Sequence, residues 1–143
     1  MIILISDIHI EPFLVPHRNE LSETVGYKIL TSEKSIIYLP DIDSWDEWNS
    51  DIVDIIKKND ILFLDGTFYD KNELVNRDIN KIPHPSILES IEKFKSLNSK
   101  DRKKIFFTHL NHTNNLLRYE SSEYNYVINL GYNITQDGKE IIL

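Results

Sequence analysis

The sequence predicts a layered α/β domain, and three observations support this prediction. Short apolar runs rich in β-branched and aromatic residues recur along the chain and indicate strands. Between them lie segments in which apolar residues return every three or four positions, which is the spacing of amphipathic helices. With 143 residues and no shift in composition, residues 1–143 are expected to form a single domain with a substantial core.

The first part of the chain is predicted to be mostly strand. Residues 2–10 form an apolar run that we expect to be one buried strand, ended by Glu11-Pro12. Residues 24–30 and 34–39 are two further apolar runs separated by the polar residues 31–33. This pattern predicts an antiparallel hairpin.

A helix and a buried strand are expected next. Ser44 and Glu47 have the spacing of a capping box, and the apolar residues after them predict a helix that continues to Lys58. Residues 61–64 are fully apolar and predict a short buried strand. Asp65 follows directly, so a carboxylate is predicted where this strand meets its loop.

A long polar connection precedes a second predicted helix. Residues 69–83 are irregular, and a connection of this length in a compact domain is more often functional than idle. Pro85 suits the first position of a helix, with His84 as its cap, and the apolar spacing extends to Leu97.

The last elements complete an alternating order of strands and helices. Residues 105–107 predict a buried strand, and residues 122–130 predict a short helix closed by Gly131. Residues 132–135 are expected to pair with residues 140–143 across an Asp-Gly turn. Strands alternating with helices are typical of an α/β fold.

Composition excludes several functional classes. The net charge of −7 argues against a broad nucleic-acid-binding surface, and the basic triplet at residues 102–104 suits a solvated turn. No segment approaches the about 20 apolar residues needed to cross a bilayer, so we expect a cytoplasmic protein without membrane association. The chain has no cysteine, so a metal would be held by histidine and carboxylate.

Histidines and acidic residues cluster at the predicted strand ends and loop starts. His17, Asp41, Asp65, His84 and His109 all occupy such positions. Side chains at one edge of a sheet converge in space, and this mixture of imidazole and carboxylate suits Zn²⁺, with Mn²⁺ or Fe²⁺ as alternatives. Taken singly, each residue also fits an ordinary role as a cap, a turn former or a surface group.

Five short motifs surround these residues. A Pro-His stands before a Gly-Tyr-x-Ile strand in residues 15–29, and a strand ends in Asp in residues 36–41. An Asp-x-Thr-Phe, a His-Pro and a strand ending in Thr-His follow in residues 64–68, 82–86 and 107–114. In this order, the segments resemble the later metal-binding segments of metallo-β-lactamase-fold proteins, the family that includes ribonuclease Z and pyrroloquinoline quinone biosynthesis protein B.

The resemblance implies a role for each candidate residue. His17 and His109 would be terminal metal ligands, and Asp41 would bridge two metal ions. His84 would be a general acid or a phosphate-contacting group, and Asp65 would orient a ligand imidazole. The implied activity is metal-dependent hydrolysis of a phosphodiester, ester or other small-molecule substrate, with a divalent metal, first of all zinc, as cofactor.

One departure from the family pattern limits this expectation. The His-x-His-x-Asp-His motif that supplies most of the family's ligands is absent, so the resemblance covers only the C-terminal half of an αββα sandwich. Metal is then expected to bind weakly, and a non-catalytic fragment or binding module is an alternative. The face that meets the missing half is expected to be apolar, which favours a homodimer or another covering partner.

A second enzymatic alternative comes from the first strand. Asp7-Ile8-His9 resembles the opening Asp-x-His of calcineurin-like phosphoesterases, in which both residues bind metal. The chain lacks the Gly-Asp-x-x-Asp and Gly-Asn-His segments that this family requires next. The alternative predicts that Asp7 and His9 lie beside Asp41 and His109.

Overall fold

A mixed β-sheet organises the chain in the computed structural model, which describes residues 3–5, 7–18, 22–73 and 83–141. Within these ranges the sheet has seven strands, and their order in space is their order in sequence. The strands are β1 (Ile3–Ile5), β2 (Ile8–Val15), β3 (Thr24–Leu30), β4 (Ser35–Leu39), β5 (Ile61–Asp65), β6 (Ile105–Thr108) and β7 (Asn133–Ile134). The helices are α1 (Ile52–Lys58), α2 (Ile87–Lys93), α3 (Ser99–Arg102) and α4 (Ser122–Asn129), with 3-10 turns at Lys71–Glu73 and Asn115–Leu117.

The sheet changes from antiparallel to parallel at β4. Strands β1 to β4 pair antiparallel, and the predicted hairpin of β3 and β4 is confirmed. Strands β4 to β7 pair parallel, with helices between them, so the predicted α/β class is also confirmed. The carboxyl ends of β4, β5 and β6 therefore lie at one edge of the sheet.

The core lies between the helices and one face of the parallel strands. Leu39, Leu62, Leu64 and Phe107 are fully buried on that face. They alternate along their strands with half-buried or exposed residues, as expected when only one face is covered. Helix residues complete the same cluster, among them Ile52, Ile56, Ile87, Phe94 and Val127.

The expected ending of the first strand is wrong. The apolar run is divided into β1 and β2 by a turn at Asp7, and β2 continues through Pro12 to Val15. Within the described residues, β2 pairs beyond Ile10 with β3 alone, so its other side is an open edge there. An edge tolerates a proline because no neighbouring strand needs the missing N–H.

The first helix begins later than the capping-box pattern predicts. The Ser44 hydroxyl accepts a hydrogen bond from the backbone N–H of Asp46, two residues on, which forms a local turn. Helix α1 starts at Ile52, where the Asp51 side chain accepts from the N–H of Val53 and caps it. The intervening Trp45 is buried in the core, so its apolar periodicity reflects packing and not a helix.

The second helix is capped by Ser86 and not by His84. The Ser86 hydroxyl accepts from the N–H of Glu89, and the Glu89 carboxylate accepts from the N–H of Ser86, which completes a capping box. The helix ends at Lys93, short of the predicted Leu97. The imidazole of His84 is therefore free of a capping role.

The C-terminal prediction is half right. Helix α4 is found as expected, with Gly131 in the left-handed region (φ 91°) after it. The predicted pairing of residues 132–135 with 140–143 is wrong for the described residues, since β7 pairs in parallel with β6 and residues 140 and 141 form no strand. Residues 142–143, like residues 74–82 of the predicted long loop, lie outside the described ranges.

The α2 capping box is expected to make stability depend on pH. Partial burial raises the pKa of Glu89, but hydrogen bonds from Lys71 and Ser86 outweigh it and lower the pKa below its ordinary value. The stabilisation is therefore present above the unfolded pKa of about 4.3 and is lost as pH falls through the folded pKa. We expect Glu89→Gln to lower the free energy of unfolding by about 0.5–1 kcal/mol at about pH 7, and by less at about pH 3.

Denaturant titrations at the two pH values measure this difference. Glu92→Gln is the matched control, because Glu92 lies on the same helix and is 73% exposed. An equal loss for Glu89→Gln at both pH values would contradict the assignment of the stabilisation to the ionised carboxylate.

Candidate metal centre

Five polar side chains meet at the carboxyl edge of the sheet. Asp41 follows β4, Asp65 ends β5 and His109 follows β6, so the parallel strands themselves aim these residues at one place. His17 follows β2, and His84 lies shortly before α2. The structure thus brings together all five residues that the sequence singled out.

Asp65 is the buried anchor of this cluster. Its side chain is fully buried, and its Oδ2 lies 2.8 Å from His84 Nδ1 and accepts from the N–H of Ile42 at 3.1 Å. The other oxygen, Oδ1, accepts from the N–H and the hydroxyl of Thr67 at 2.9 and 2.7 Å. Because every partner is a donor or can act as one, both carboxylate oxygens accept hydrogen bonds in this pocket.

Thr67 connects Asp65 to His109. Its hydroxyl donates to Asp65, and its oxygen lies 3.1 Å from His109 Nδ1. Since the hydroxyl proton is used on Asp65, the oxygen is the acceptor for Nδ1–H of His109. This leaves Nε2 of His109 as the nitrogen available to a ligand. The sequence pattern does not predict the contact of Thr67 with His109, although Thr67 lies inside the Asp-x-Thr-Phe segment.

Asp41 carries the orphaned atom of the site. Within the described part of the chain its Oδ1 is buried without a hydrogen-bond partner, and His84 Nδ1 lies 3.5 Å from it. A buried carboxylate oxygen left without a partner is costly unless something else binds it. Among the described residues, Asp41, His84 and His109 each offer a ligand atom within 4.8 Å of the others. Two imidazoles and a carboxylate suit Zn²⁺ and related ions, so the residues present fit a divalent metal.

His17 lies beside this group but is not one of its three members in the described part of the chain. Its Nε2 is 3.4 Å from Asp41 Oδ2, and its ring centroid is 6.0 Å from that of His84. Its Nδ1 is 2.7 Å from Oδ1 of Asp43. Sequence reasoning missed Asp43, although it stands only two residues after a predicted ligand.

Tight backbone packing holds the two loops of the site together. His109 adopts a left-handed backbone conformation (φ 62°), which is uncommon for a residue other than glycine. The buried Asn114 amide donates to the carbonyls of Gly66 and Thr67 at 2.9 and 3.2 Å. A Cβ at Gly66 would lie 2.9 Å from Phe107 Cβ and 3.0 Å from a backbone oxygen, so only glycine fits there.

The charge around His84 favours its protonated form. Burial lowers the pKa of His84, but the hydrogen bond and charge of Asp65, with the charges of Asp41 and Asp43, outweigh it. The pKa therefore lies above its ordinary value. In the metal-free chain, more of this imidazole is protonated near neutral pH than of a solvent-exposed histidine.

The remaining histidines take no part in this cluster. In the described part of the chain, Asp7 and His9 are not among the grouped ligands, and His9 Nε2 instead lies 3.7 Å from Glu11. This arrangement gives no support to the calcineurin-like alternative. His112 is exposed and also lies outside the group.

The longest helix within the described ranges, α4, has eight residues, so none reaches the about 20 that a bilayer crossing requires.

Comparison with known proteins assigns the family. A search of curated proteins finds no match. Among solved structures, the chain is similar to Zn²⁺-bound PqqB from Methylobacterium extorquens, with a TM-score of 0.79 and 22% identity over 97% of this chain. The match covers 52% of the PqqB chain, so this protein spans about half of that length. The family model described as the beta-lactamase superfamily domain matches residues 3–110. The chain therefore belongs to the beta-lactamase superfamily.

Proposed function

We propose that this chain contributes the metal centre of a metal-dependent hydrolase acting on phosphodiester or ester substrates. The main support is the orphaned Asp41 Oδ1, buried beside the imidazoles of His84 and His109. In the proposal Asp41 and His109 would hold the metal together with His17. Zinc is the first candidate because the similar PqqB structure is Zn²⁺-bound, with Mn²⁺ and Fe²⁺ as alternatives.

The side chains of the site would have separate roles in hydrolysis. A divalent ion, when bound, would supply Lewis-acid chemistry, polarising the scissile group and lowering the pKa of water. His84 would donate a proton to the leaving group, since it lies beside Asp41 at the site and Asp65 holds its ring in place. Asp65 would hold Nδ1 of His84 and leave Nε2 as the nitrogen for proton transfer.

A second candidate function is a binding module without catalysis. It is favoured by the small size of the ligand group, which contains three residues in the described ranges. Three ligands from one chain bind a metal less tightly than a complete set does. The two candidates differ in turnover, whereas both require the metal. Homodimerisation and coverage by a partner remain predictions.

Removal of a proposed ligand is expected to weaken metal binding sharply. We expect His109→Ala and Asp41→Ala each to reduce Zn²⁺ affinity by at least about 100-fold, measured by competition with a chromophoric chelator on the full chain. His112→Ala is the matched control, because it removes an exposed imidazole three residues from His109. Equal affinities for the wild type and both ligand variants would overturn the proposed metal centre.

Turnover then separates the hydrolase from the binding module. The Zn²⁺-loaded chain is expected to hydrolyse bis(p-nitrophenyl) phosphate or p-nitrophenyl acetate, and Asp41→Ala is expected to abolish this hydrolysis. Tight Zn²⁺ binding without hydrolysis of either probe above the Asp41→Ala background would favour the binding module.

A further inference from the structure

Asp43 is held beside His17 although 26 residues separate the two in sequence. The backbone N–H of Asp43 donates to the carbonyl of Pro16 at 2.9 Å. This bond joins the segment after β4 to the segment after β2. The backbone therefore holds the side chains of His17 and Asp43 close together.

The contact between the two side chains is short and directional. Asp43 Oδ1 lies 2.7 Å from His17 Nδ1, and both side chains are largely shielded, at 20% and 22% exposure. A carboxylate accepts hydrogen bonds only, so Nδ1 must carry the hydrogen. In the neutral ring the lone pair then resides on Nε2, which lies on the side of Asp41, 3.4 Å from its Oδ2.

Neither Asp43 nor His17 belongs to the ligand group that Asp41, His84 and His109 form in the described part of the chain, but His17 Nε2 lies 3.4 Å from Asp41. An effect of Asp43 on a metal would pass through His17, because Asp43 contacts that imidazole. The same relation recurs in Asp65 and His84, where a carboxylate again engages Nδ1 at 2.8 Å. Carboxylates behind ligand imidazoles fix the tautomer and strengthen the ligand.

We propose that Asp43 is a positioning residue that holds His17 in the Nδ1–H tautomer and so presents Nε2 to the metal centre. The role of Nε2 as a ligand rests on the proposed function. The tautomer itself does not, because the contact with Asp43 exists without any metal.

The tautomer is measured on the metal-free, ¹⁵N-labelled full chain by long-range ¹H–¹⁵N correlation, at a pH where the imidazole is neutral. We expect His17 to be mainly the Nδ1–H form in the wild type and to shift towards Nε2–H in Asp43→Ala. Asp43→Asn keeps an oxygen acceptor without the charge and is expected to retain the Nδ1–H form. An unchanged tautomer in Asp43→Ala would overturn the inference.

Zn²⁺ binding supplies the second measurement. Asp43→Ala is expected to lower Zn²⁺ affinity about 10- to 100-fold, and to cause no further loss when His17 is already alanine. Asp54→Ala, which removes an acidic residue 60% exposed on α1, is the control for net charge. A loss that persists in the His17→Ala background would show that Asp43 acts independently of His17 and would overturn the proposal.

The two measurements keep the hypotheses apart. A wild-type chain that binds no Zn²⁺ would contradict the proposed function, while the tautomer of His17 in Asp43→Ala would still decide the role of Asp43.

Discussion

Replacement of Asp65 with alanine is expected to lower the free energy of unfolding by about 3–5 kcal/mol. The carboxylate is fully buried and has four short contacts, to the Ile42 N–H, the Thr67 N–H and hydroxyl, and the His84 ring. Alanine would leave these donors buried without an acceptor, and each unsatisfied group costs about 1–3 kcal/mol. The contacts join three separate segments, so their loss would loosen the whole edge of the sheet.

Urea titration followed by tryptophan fluorescence measures this effect, since Trp45 is buried in the core. Asp46→Ala is the matched control, because Asp46 is 82% exposed, and a change within about 0.5 kcal/mol is expected there. A loss below about 1 kcal/mol for Asp65→Ala would show that the network is not a structural element.

His84→Gln is expected to reduce turnover strongly while sparing metal binding. Loss of a positioned general acid lowers kcat by about 100- to 10,000-fold, and glutamine keeps a polar group of similar reach but cannot donate a proton as a histidinium does. Because Asp41 and His109 remain, we expect Zn²⁺ affinity to change by less than about 10-fold. The measurements are kcat on the Zn²⁺-loaded chain and chelator competition on the same preparation.

A loss of Zn²⁺ binding in His84→Gln would identify His84 as a metal ligand. His84 offers a ligand atom to the group that contains Asp41 and His109. If His84→Gln weakens Zn²⁺ binding as much as His109→Ala does, then His84 is a metal ligand, and its assignment as the general acid is wrong.

Local patterns predicted the parts of the fold that local chemistry determines. A few adjacent residues are enough to predict the buried strand that ends at Asp65, the β3–β4 hairpin and the glycine after α4. The capping-box pattern at Ser44 and Glu47 predicted a helix start that is wrong. The Ser44 hydroxyl accepts from the N–H of Asp46, two residues on, and Trp45 packs in the core.

The rest of the site depends on contacts that no local pattern shows. Thr67 meets His109 across 42 residues and Asp43 meets His17 across 26, so their roles appear only once the strands are aligned. Of the five residues found from sequence, Asp41, Asp65 and His109 lie at the ends of parallel strands, where this arrangement makes convergence predictable. Their supporting partners have ordinary turn-forming character in the sequence.

Because His109 has a left-handed backbone, the residue type at this position indicates whether the metal centre is under selection. A residue with a Cβ is strained there, at a cost of about 1–3 kcal/mol, and glycine would relieve the strain. Selection for stability alone therefore pushes position 109 away from histidine, and only a need for the imidazole opposes it. A lineage that abandoned this centre would be expected to exchange the histidine for glycine early, whereas a buried hydrophobic residue such as Phe107 would persist for the sake of the core.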